Sequence, residues 1–309
     1  MLEGLNNGGL QLFIPKFDFS VVSSLMKETK NQLPERRLNS PNKTSKFGVI
    51  DHKISWDKKF NANHDLAVVT QATNRATTKM ETQLVEKNFS KYFENWMSQL
   101  EELLKLLLIV PRETSYVKDH ESLVNKMTTH HKDYYTAKWA AAHEDILAFF
   151  SPMWMSPLEN AYLWVTGWKP SMAFRLVGTD LSELSDEQLK NIDALRVKIR
   201  GDEEKVEREM ERQHVAMGDR KMVELARMKS NDNNNNNNNQ LDGLVEVALK
   251  GLMMSLERIM KMADCVRLKT LKNLLDILSP TQSVDFLAAI SMLQTQTRKW
   301  GRKRENLCN

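Results

Sequence analysis

The sequence predicts an all-α fold, a bundle of long amphipathic helices with a disordered N-terminal extension and an Asn-rich loop. Three observations predict it. From residue 81 onward, apolar residues recur at steps of three, four or five. Serines placed to cap helices recur at Ser156, Ser185 and Ser279, each with Glu or Gln three residues later. We find no convincing strand pattern in this part of the sequence.

Composition sets limits on the class of protein. Hydrophobic residues are 41% and charged residues 27% of 309, and a net charge of +4 is too small to indicate nucleic acid. Cys265 and Cys308 lack a C-x-x-C partner, which disfavours a disulfide scaffold and favours a reducing compartment, the nucleus or cytoplasm. The longest apolar run, 103–110, is far below the ~18 residues of a membrane span. Membrane insertion is not indicated.

Residues 1–80 have scattered Asn, Lys, Ser and Thr and no sustained apolar period. This composition predicts a disordered extension. The helical domain is predicted over residues 81–304.

Prolines and one glycine divide the first half of this domain. Four helices are predicted there: from Glu81 to Pro111, from Tyr116 to Phe150, from Ser156 to Gly167, and a short one after Pro170.

The second half holds longer helices. The capping box at Ser185 begins a helix expected to reach Lys229, although Gly201 is expected to weaken it by ~1 kcal/mol. The asparagine tract predicts a flexible loop at 231–240. Two further helices are predicted, from Leu244 to Leu278 and from Phe286 to Trp300.

The run W-x-x-P-L-E-N-A-Y-L-W-x-x-G-W-K-P-S, from Trp154 to Ser171, resembles the plant delay-of-germination (DOG) domain, which is also the C-terminal half of TGA-type bZIP factors. The resemblance covers roughly residues 86–304. It implies a non-enzymatic regulator of seed dormancy, germination and abscisic acid response. Such a protein acts by protein-protein interaction and is linked to the control of transcription.

Two alternatives stay open: a sequence-specific DNA-binding regulator of TGA type lacking a bZIP, and a pollen-aperture factor similar to the inaperturate-pollen branch. A zipper needs apolar a and d positions. The Ser185 helix places Arg196 and Glu203 on the heptad position that Leu189 and Met210 share. No bZIP is therefore visible in this sequence.

The resemblance also suggests where partners dock. In the dormancy branch, an aromatic N-terminal helix is implicated in docking type 2C phosphatases. Phe93, Trp96 and Leu100 match that helix here, and bZIP factors or a second copy of the chain are further candidate partners. Aromatics one turn apart can equally belong to the core.

Four tryptophans, Trp139, Trp154, Trp164 and Trp168, are candidates for lining an apolar ligand pocket. Trp164 and Trp168 are four apart, which places them on one face of the predicted third helix. The alternative, that they fill space between helices, is favoured because aromatics dominate core burial.

One dense basic cluster lies near the C-terminus: Arg298, Lys299, Arg302, Lys303 and Arg304. It is a candidate nuclear import signal, nucleic-acid contact or calmodulin-type helix. A solvated helix end is the alternative.

Signals for chemistry are weak. No G-x-S-x-G or glycine-rich phosphate loop is present, Glu211-x-x-His214 is half of a di-metal motif, and His143-Glu144 has Leu147 where a zinc helix needs histidine. We therefore expect no catalysis, metal or cofactor. Haem ligation by His130 or His131 stays open as an alternative.

Overall fold

The computed structural model describes the backbone of residues 67–180, 184–231 and 238–308. Within these ranges the regular elements are helices, and an isolated antiparallel bridge joins Trp164 to Gly167. The predicted all-α class is confirmed. The chain divides into two units, residues 1–80 and residues 81–309.

The helices are α1 (Ala67–Ile109), α2 (Val117–Glu144), α3 (Leu147–Phe150), α4 (Pro157–Ala161), α5 (Ala173–Asp180), α6 (Asp186–Ala216), α7 (Arg220–Asn231), α8 (Asn238–Ile277) and α9 (Pro280–Cys308). Short 3-10 turns at Thr114–Tyr116 and Pro170–Met172 precede α2 and α5.

Two predicted flexible segments fall largely outside the described residues. Residues 1–66 of the predicted extension lie there, whereas Ala67–Met80 belong to α1. Residues 232–237 of the predicted loop also lie there. Residue 231 ends α7 and residues 238–240 begin α8.

The second predicted helix is shorter than expected. It ends at Glu144 because Asp145 has extended backbone angles, φ −146° and ψ 102°. The Asp145 carboxylate then accepts a hydrogen bond from the Leu147 amide at 3.0 Å. This local bond between side chain and backbone competes with continuation of the helix, and α3 starts as a separate element.

The third predicted helix is also shorter. It begins at the Ser156 capping box but stops at Ala161, and the chain then turns back on itself. Val165 and Thr166 have φ of 41° and 62°, in the left-handed region, which a helix excludes. The amide of Trp164 donates to the Gly167 carbonyl at 2.7 Å. Trp164 and Trp168 therefore lie in a turn, and their placement on one helix face was wrong.

The long charged helix passes through Gly201 and breaks instead at Gly218, between α6 and α7. The last helix is longer than predicted at both ends. It begins at Pro280, where the amide of Gln282 bonds to the Ser279 hydroxyl at 3.3 Å. The Ser279 cap lies seven residues before the first core aromatic, Phe286, where the predicted helix began.

The core forms where α9 packs against α2, α4 and α5 and where α6 packs along α8. Gln188, which belongs to the cap of α6, also contacts the cap of α9. Its Nε2 donates to the Ile277 carbonyl at 3.0 Å and to Gln282 Oε1 at 2.8 Å. The start of α6 is thereby fixed to the end of α8 and the start of α9.

Beyond the core, α6 continues into α7. These two helices form one arm of a hairpin, and the first half of α8 forms the other arm. Among the described side chains at 207–228 and 242–258, none is buried. Apolar residues of this hairpin are therefore covered on one side at most. No helix among the described residues has both the length and the apolar character to cross a membrane.

Gly301 of α9 passes so close to the Ser156 cap that a side chain has no room. A Cβ there would lie 2.7 Å from Ser156 Cβ and overlap its Oγ, whereas a Cβ at Gly201 meets nothing within 4 Å. Gly301→Ala should lower the free energy of unfolding by about 1–3 kcal/mol, and Gly201→Ala should raise it by about 1 kcal/mol. Urea denaturation of both variants tests this. A Gly301→Ala protein as stable as Gly201→Ala would contradict the close approach.

Candidate functional site

The four candidate tryptophans do not line one pocket. Trp154 packs with Phe89 and Phe149, at ring-centroid distances of 4.9 and 5.2 Å. Trp139, Trp164 and Trp168 instead contact a buried ionic cluster. Trp139 does so through its side chain, and Trp164 and Trp168 do so through their backbone carbonyls. The two groups lie apart because α4 ends at Ala161 and the chain then forms a turn, closed by the bridge between Trp164 and Gly167.

This cluster consists of Lys138 on α2 with Asp264 and Arg267 on α8, all three buried. Lys138 Nζ lies 2.9 Å and Arg267 Nη1 lies 2.6 Å from Asp264 Oδ1. Trp139 Nε1 donates to the other carboxylate oxygen at 2.9 Å. A single carboxylate therefore faces two cations, and buried charges are tolerated only when their hydrogen-bonding groups are satisfied.

The turn at residues 164–168, which we call the tryptophan turn, satisfies the remaining donors. Arg267 Nε donates to the Trp168 carbonyl at 2.7 Å, and its Nη2 donates to Val165 O at 2.9 Å and also to Trp164 O. Lys138 Nζ donates to Thr166 O at 3.1 Å and Thr166 Oγ1 at 2.9 Å. The left-handed backbone of this turn is thereby held by two buried cations.

Gly167 is required by this close approach. A Cβ at residue 167 would lie 2.8 Å from Arg267 Cζ, inside contact distance of a side chain that cannot move without losing its bonds. The glycine in the quoted motif is thus explained by the guanidinium behind it rather than by a helix end.

Burial changes the acidity of this region. Desolvation lowers the pKa of Lys138 to about 8, and this effect outweighs the attraction of Asp264. Desolvation also raises the pKa of Tyr135, whose ring centroid lies 5.9 Å from Lys138 Nζ. Lys138 is enclosed by its partners, so its function is structural: it joins α2, α8 and the turn.

The outer side of the tryptophan turn faces solvent. Trp164 is half-buried, with Arg267 Cζ 5.3 Å and Lys169 Nζ 6.0 Å from its ring centroid. Glu207 accepts from Trp164 Nε1 and from Lys169 Nζ, both at 2.9 Å. Together with Tyr162 these side chains make a partly exposed aromatic surface, the kind of surface on which binding hot spots form.

Glu203 fixes the segment that follows. Its Oε1 accepts from the Ser171 amide at 2.6 Å, and burial is the largest influence on the Glu203 carboxyl, whose pKa it raises. This residue interrupts the heptad pattern of α6 because it holds the chain after the turn.

The predicted docking residues are core residues. The exposed fractions of Phe93, Trp96 and Leu100 are 2%, 3% and 0%. Trp96 stacks on His130 with ring centroids 4.8 Å apart, and its Nε1 donates to the His130 carbonyl at 3.1 Å. In the folded domain α2 already covers these side chains. The prediction that they contact a partner directly was therefore wrong.

His130 and His131 lie in the same aromatic core. Desolvation lowers the pKa of both, and that of His131 falls to about 4. Both Nε2 atoms are buried without a hydrogen-bond partner. Iron ligation by either atom would require the helices around Trp96 to separate.

The C-terminal basic cluster is divided by the fold. The Arg298 guanidinium is buried, 4.9 Å from the Phe93 ring centroid, and bonds to Glu94 of α1 and to Glu159 of α4 at 3.1 Å. Arg298 therefore connects α9 to α1 and α4, so its predicted contact with nucleic acid or an import receptor was wrong.

The other members of the basic cluster lie on the exposed side of α9. Arg302 pairs with Glu94 at 2.6 Å and Lys299 with Glu101 at 3.4 Å, both on α1. Lys303 and Arg304 are exposed. The five residues therefore do not form one continuous basic surface. Within the described part of the chain, no group of three or more His, Cys, Asp and Glu residues could hold a metal ion.

Sequence reasoning missed the ionic cluster, although a signal was present. Lys138 occupies an apolar-face position of α2, two turns after His131, and Asp264 and Arg267 stand three apart among buried residues of α8. Charged residues of opposite sign at core positions of two helices indicate a buried ionic cluster, because a buried charge needs a partner.

The sequence is similar to those of known proteins. The family model described as "DOG1: Seed dormancy control" matches residues 99–179, which include the tryptophan turn. "Protein DOG1-like 4" of Arabidopsis thaliana is 51% identical over 225 residues, 72% of this chain and 95% of that protein. The chain belongs to the DOG1 family.

More distant similarity extends to proteins with other names. "Protein RESPONSE TO ABA AND SALT 1" of Arabidopsis thaliana is 24% identical over 71% of this chain and 96% of that protein. "Transcription factor TGA2.3" of Oryza sativa subsp. japonica is 27% identical over 69% of this chain and 62% of that protein.

Removal of the shared carboxylate should destabilise the domain strongly. Asp264→Ala leaves Lys138 and Arg267 buried without a counter-charge, and we expect a loss of about 3–5 kcal/mol in the free energy of unfolding. Asp276→Ala on the same helix is the control, because its ion pair with Lys272 is exposed and should contribute under about 1 kcal/mol. Equal losses in the two variants, measured by urea denaturation, would argue against a structural role for the cluster.

His131 should make the domain sensitive to acid. Its pKa is about 4 when folded and 6.5 ordinarily, so between these values the unfolded chain binds the extra proton. Stability should fall as the pH drops through this window, by on the order of 3 kcal/mol. In His131→Leu the loss between pH 6.5 and 4 should shrink by this amount. An unchanged pH dependence of the urea midpoint would refute the assignment to His131.

Proposed function

We propose that this chain is a non-enzymatic regulator of seed dormancy, germination and the abscisic acid response, which acts by protein-protein interaction and is linked to the control of transcription. The observation that carries the proposal is 51% identity to DOG1-like 4 across 95% of that protein. The name of RESPONSE TO ABA AND SALT 1 supports the hormone response.

The geometry supports a scaffold rather than an enzyme. Among the described residues, Lys138, Asp264 and Arg267 are the charged groups most removed from solvent, and their hydrogen bonds go to one another, to the side chains of Trp139 and Thr166 and to backbone carbonyls. Groups held in this way keep a surface rigid, and rigidity lowers the entropic cost of binding a partner.

We place partner binding on the tryptophan turn instead of on Phe93 and Trp96. Trp164 and Trp168 are partly exposed there, Tyr162 is exposed just before the turn, and Arg267 lies against the Trp164 ring. Type 2C phosphatases and bZIP factors are the proposed partners, and similarity to TGA factors supports the second class. No cofactor is part of the proposal, and haem ligation stays a prediction.

We propose that the protein acts in the nucleus and the cytoplasm. Similarity to transcription factors supports the nucleus. The exposed pair Lys303 and Arg304 is the remaining candidate for an import signal.

Direct DNA binding is a second candidate function, favoured by the similarity to TGA2.3. The burial of Arg298 weakens it, because this removes one of the five cations of the basic cluster. The pollen-aperture alternative stays a prediction.

Binding can be tested with purified type 2C phosphatase and TGA protein as probes. The double variant Tyr162→Ala and Trp164→Ala should bind at least about tenfold more weakly, because aromatic side chains dominate hot spots. Ile109→Ala, which removes an exposed apolar side chain from α1, is the matched control and should bind normally. Circular dichroism and urea midpoints must show that the double variant is folded.

The biological part is tested by germination of plants in which the gene is disrupted, with and without abscisic acid. Wild-type protein should restore the response, and the double variant should not. Normal binding by the double variant would refute the docking surface, whereas unaltered germination in the disrupted plants would refute the proposed regulatory function.

A further inference from the structure

Four serines of the chain directly precede a proline, and this pair of residues is the sequence that proline-directed serine kinases recognise. They are Ser40, Ser151, Ser156 and Ser279. Ser40 lies outside the described residues, and the other three lie at the ends of helices in the helical domain. Such a kinase must reach both the hydroxyl and the proline from the surface, so the fold decides which pairs can be substrates.

Two of the three described pairs are closed by packing. Ser151 is exposed, but Pro152 after it is buried. Ser156 is 5% exposed, and Gly301 of α9 passes so close that a Cβ there would overlap the Ser156 Oγ. Neither pair therefore presents the hydroxyl and the proline together.

Ser279 and Pro280 are both accessible. Ser279 is exposed and Pro280 is half-buried, in the short connection between the end of α8 at Ile277 and the start of α9. Ser279 belongs to neither helix, because a proline disfavours the helical conformation of the residue before it. Its Oγ accepts from the Gln282 amide at 3.3 Å, beyond the usual range of such bonds. This cap is therefore a weak bond that an enzyme can displace.

The acidic side chains nearest to this connection in the sequence are already neutralised. Asp276 pairs with Lys272 at 2.9 Å, and Asp285 pairs with Arg112 at 2.7 Å. Both pairs balance the charge of a carboxylate that would otherwise repel an anion on Ser279. A phosphate at this position is therefore not opposed by an unpaired acid on either flank.

Three helices begin at this end of the bundle. Thr281 Oγ1 in the first turn of α9 lies 3.2 Å from His120 Nδ1 in the first turn of α2, and Gln282 Oε1 lies 2.8 Å from Gln188 Nε2 in the first turn of α6. The start of a helix carries partial positive charge from amides without intrahelical partners. A phosphate, which adds about −1.5 to −2 charges, would be attracted to this end.

We propose that Ser279 is a phosphorylation site for a proline-directed serine kinase, with ATP as the phosphoryl donor. Ser279 Oγ forms a bond to the γ-phosphorus of Mg-ATP, and the bond from that phosphorus to the oxygen shared with the β-phosphate breaks, which releases ADP. The hydroxyl proton passes to the catalytic carboxylate of the kinase. The product is a phosphate ester at the start of α9.

Incubation of the folded full chain with a purified mitogen-activated protein kinase and Mg-ATP tests the proposal. Every protein carries Ser40→Ala, so that position 40 does not contribute. Mass spectrometry should find phosphate on Ser279. Ser279→Ala removes the nucleophile and should reduce phosphate incorporation at least about tenfold. Pro280→Ala keeps the hydroxyl but removes the ring that the kinase recognises, and the reduction should be similar.

Ser151→Ala is the matched control, because it removes an exposed hydroxyl whose proline is buried. This variant should incorporate as much phosphate as the protein with Ser40→Ala alone. An unfolded chain exposes more Ser-Pro pairs, so reduced incorporation cannot be attributed to unfolding. Three results would overturn the proposal: no phosphate on Ser279, as much phosphate on Ser151 or Ser156 as on Ser279, or unchanged incorporation in Pro280→Ala.

The phosphate should also stabilise the start of α9. The urea midpoint of the phosphorylated protein should be higher than that of the unmodified protein, because the three helix starts attract the anion. The difference should shrink in about 1 M NaCl, where charges are screened beyond roughly 3 Å. A lower midpoint after phosphorylation would contradict the favourable surroundings of Ser279. Partner binding at the tryptophan turn is measured separately and does not affect these outcomes.

Discussion

The Asp264 carboxylate, shared by Lys138 and Arg267, is the interaction on which the arrangement of this domain depends. One buried anion cannot balance two buried cations, so the backbone carbonyls of the tryptophan turn accept the remaining hydrogen bonds. The turn is thus tied to α2 and α8 by charge as well as by packing. Its strained residues, Val165 and Thr166, keep their angles because relaxation would leave a cation without acceptors.

A second polar contact fixes the other side of the bundle. Arg298 of α9 reaches Glu94 of α1 and Glu159 of α4, and the same Glu159 completes the cap of its own helix through the Ser156 amide at 2.9 Å. Apolar helix faces tolerate sliding, because burial is proportional to area and has no direction. Hydrogen bonds between buried groups have direction, so these clusters select one arrangement among many that bury similar area.

These structural demands decide which surfaces are available for binding. Phe89, Phe93 and Trp96 of α1 and Arg298 of the C-terminal cluster are buried in the core. The outer side of the tryptophan turn stays partly exposed to solvent.

The sequence by itself determined the all-α class, the capping boxes at Ser156, Ser185 and Ser279, and the family, because these depend on residues close together in the chain. Three helices end earlier than predicted, at Asp145, Ala161 and Gly218, where local bonds or turns end a helix whose apolar pattern continues, and the last helix extends beyond its predicted bounds at both ends. Only the tertiary structure decided the buried ionic cluster and the contacts of Arg298. Lys138 and Asp264 are 126 residues apart, and Arg298 and Glu94 are 204 apart, so no local pattern shows that they meet. Periodicity identifies the buried face of a helix, but which charged groups face each other across that interior is set by how the helices pack.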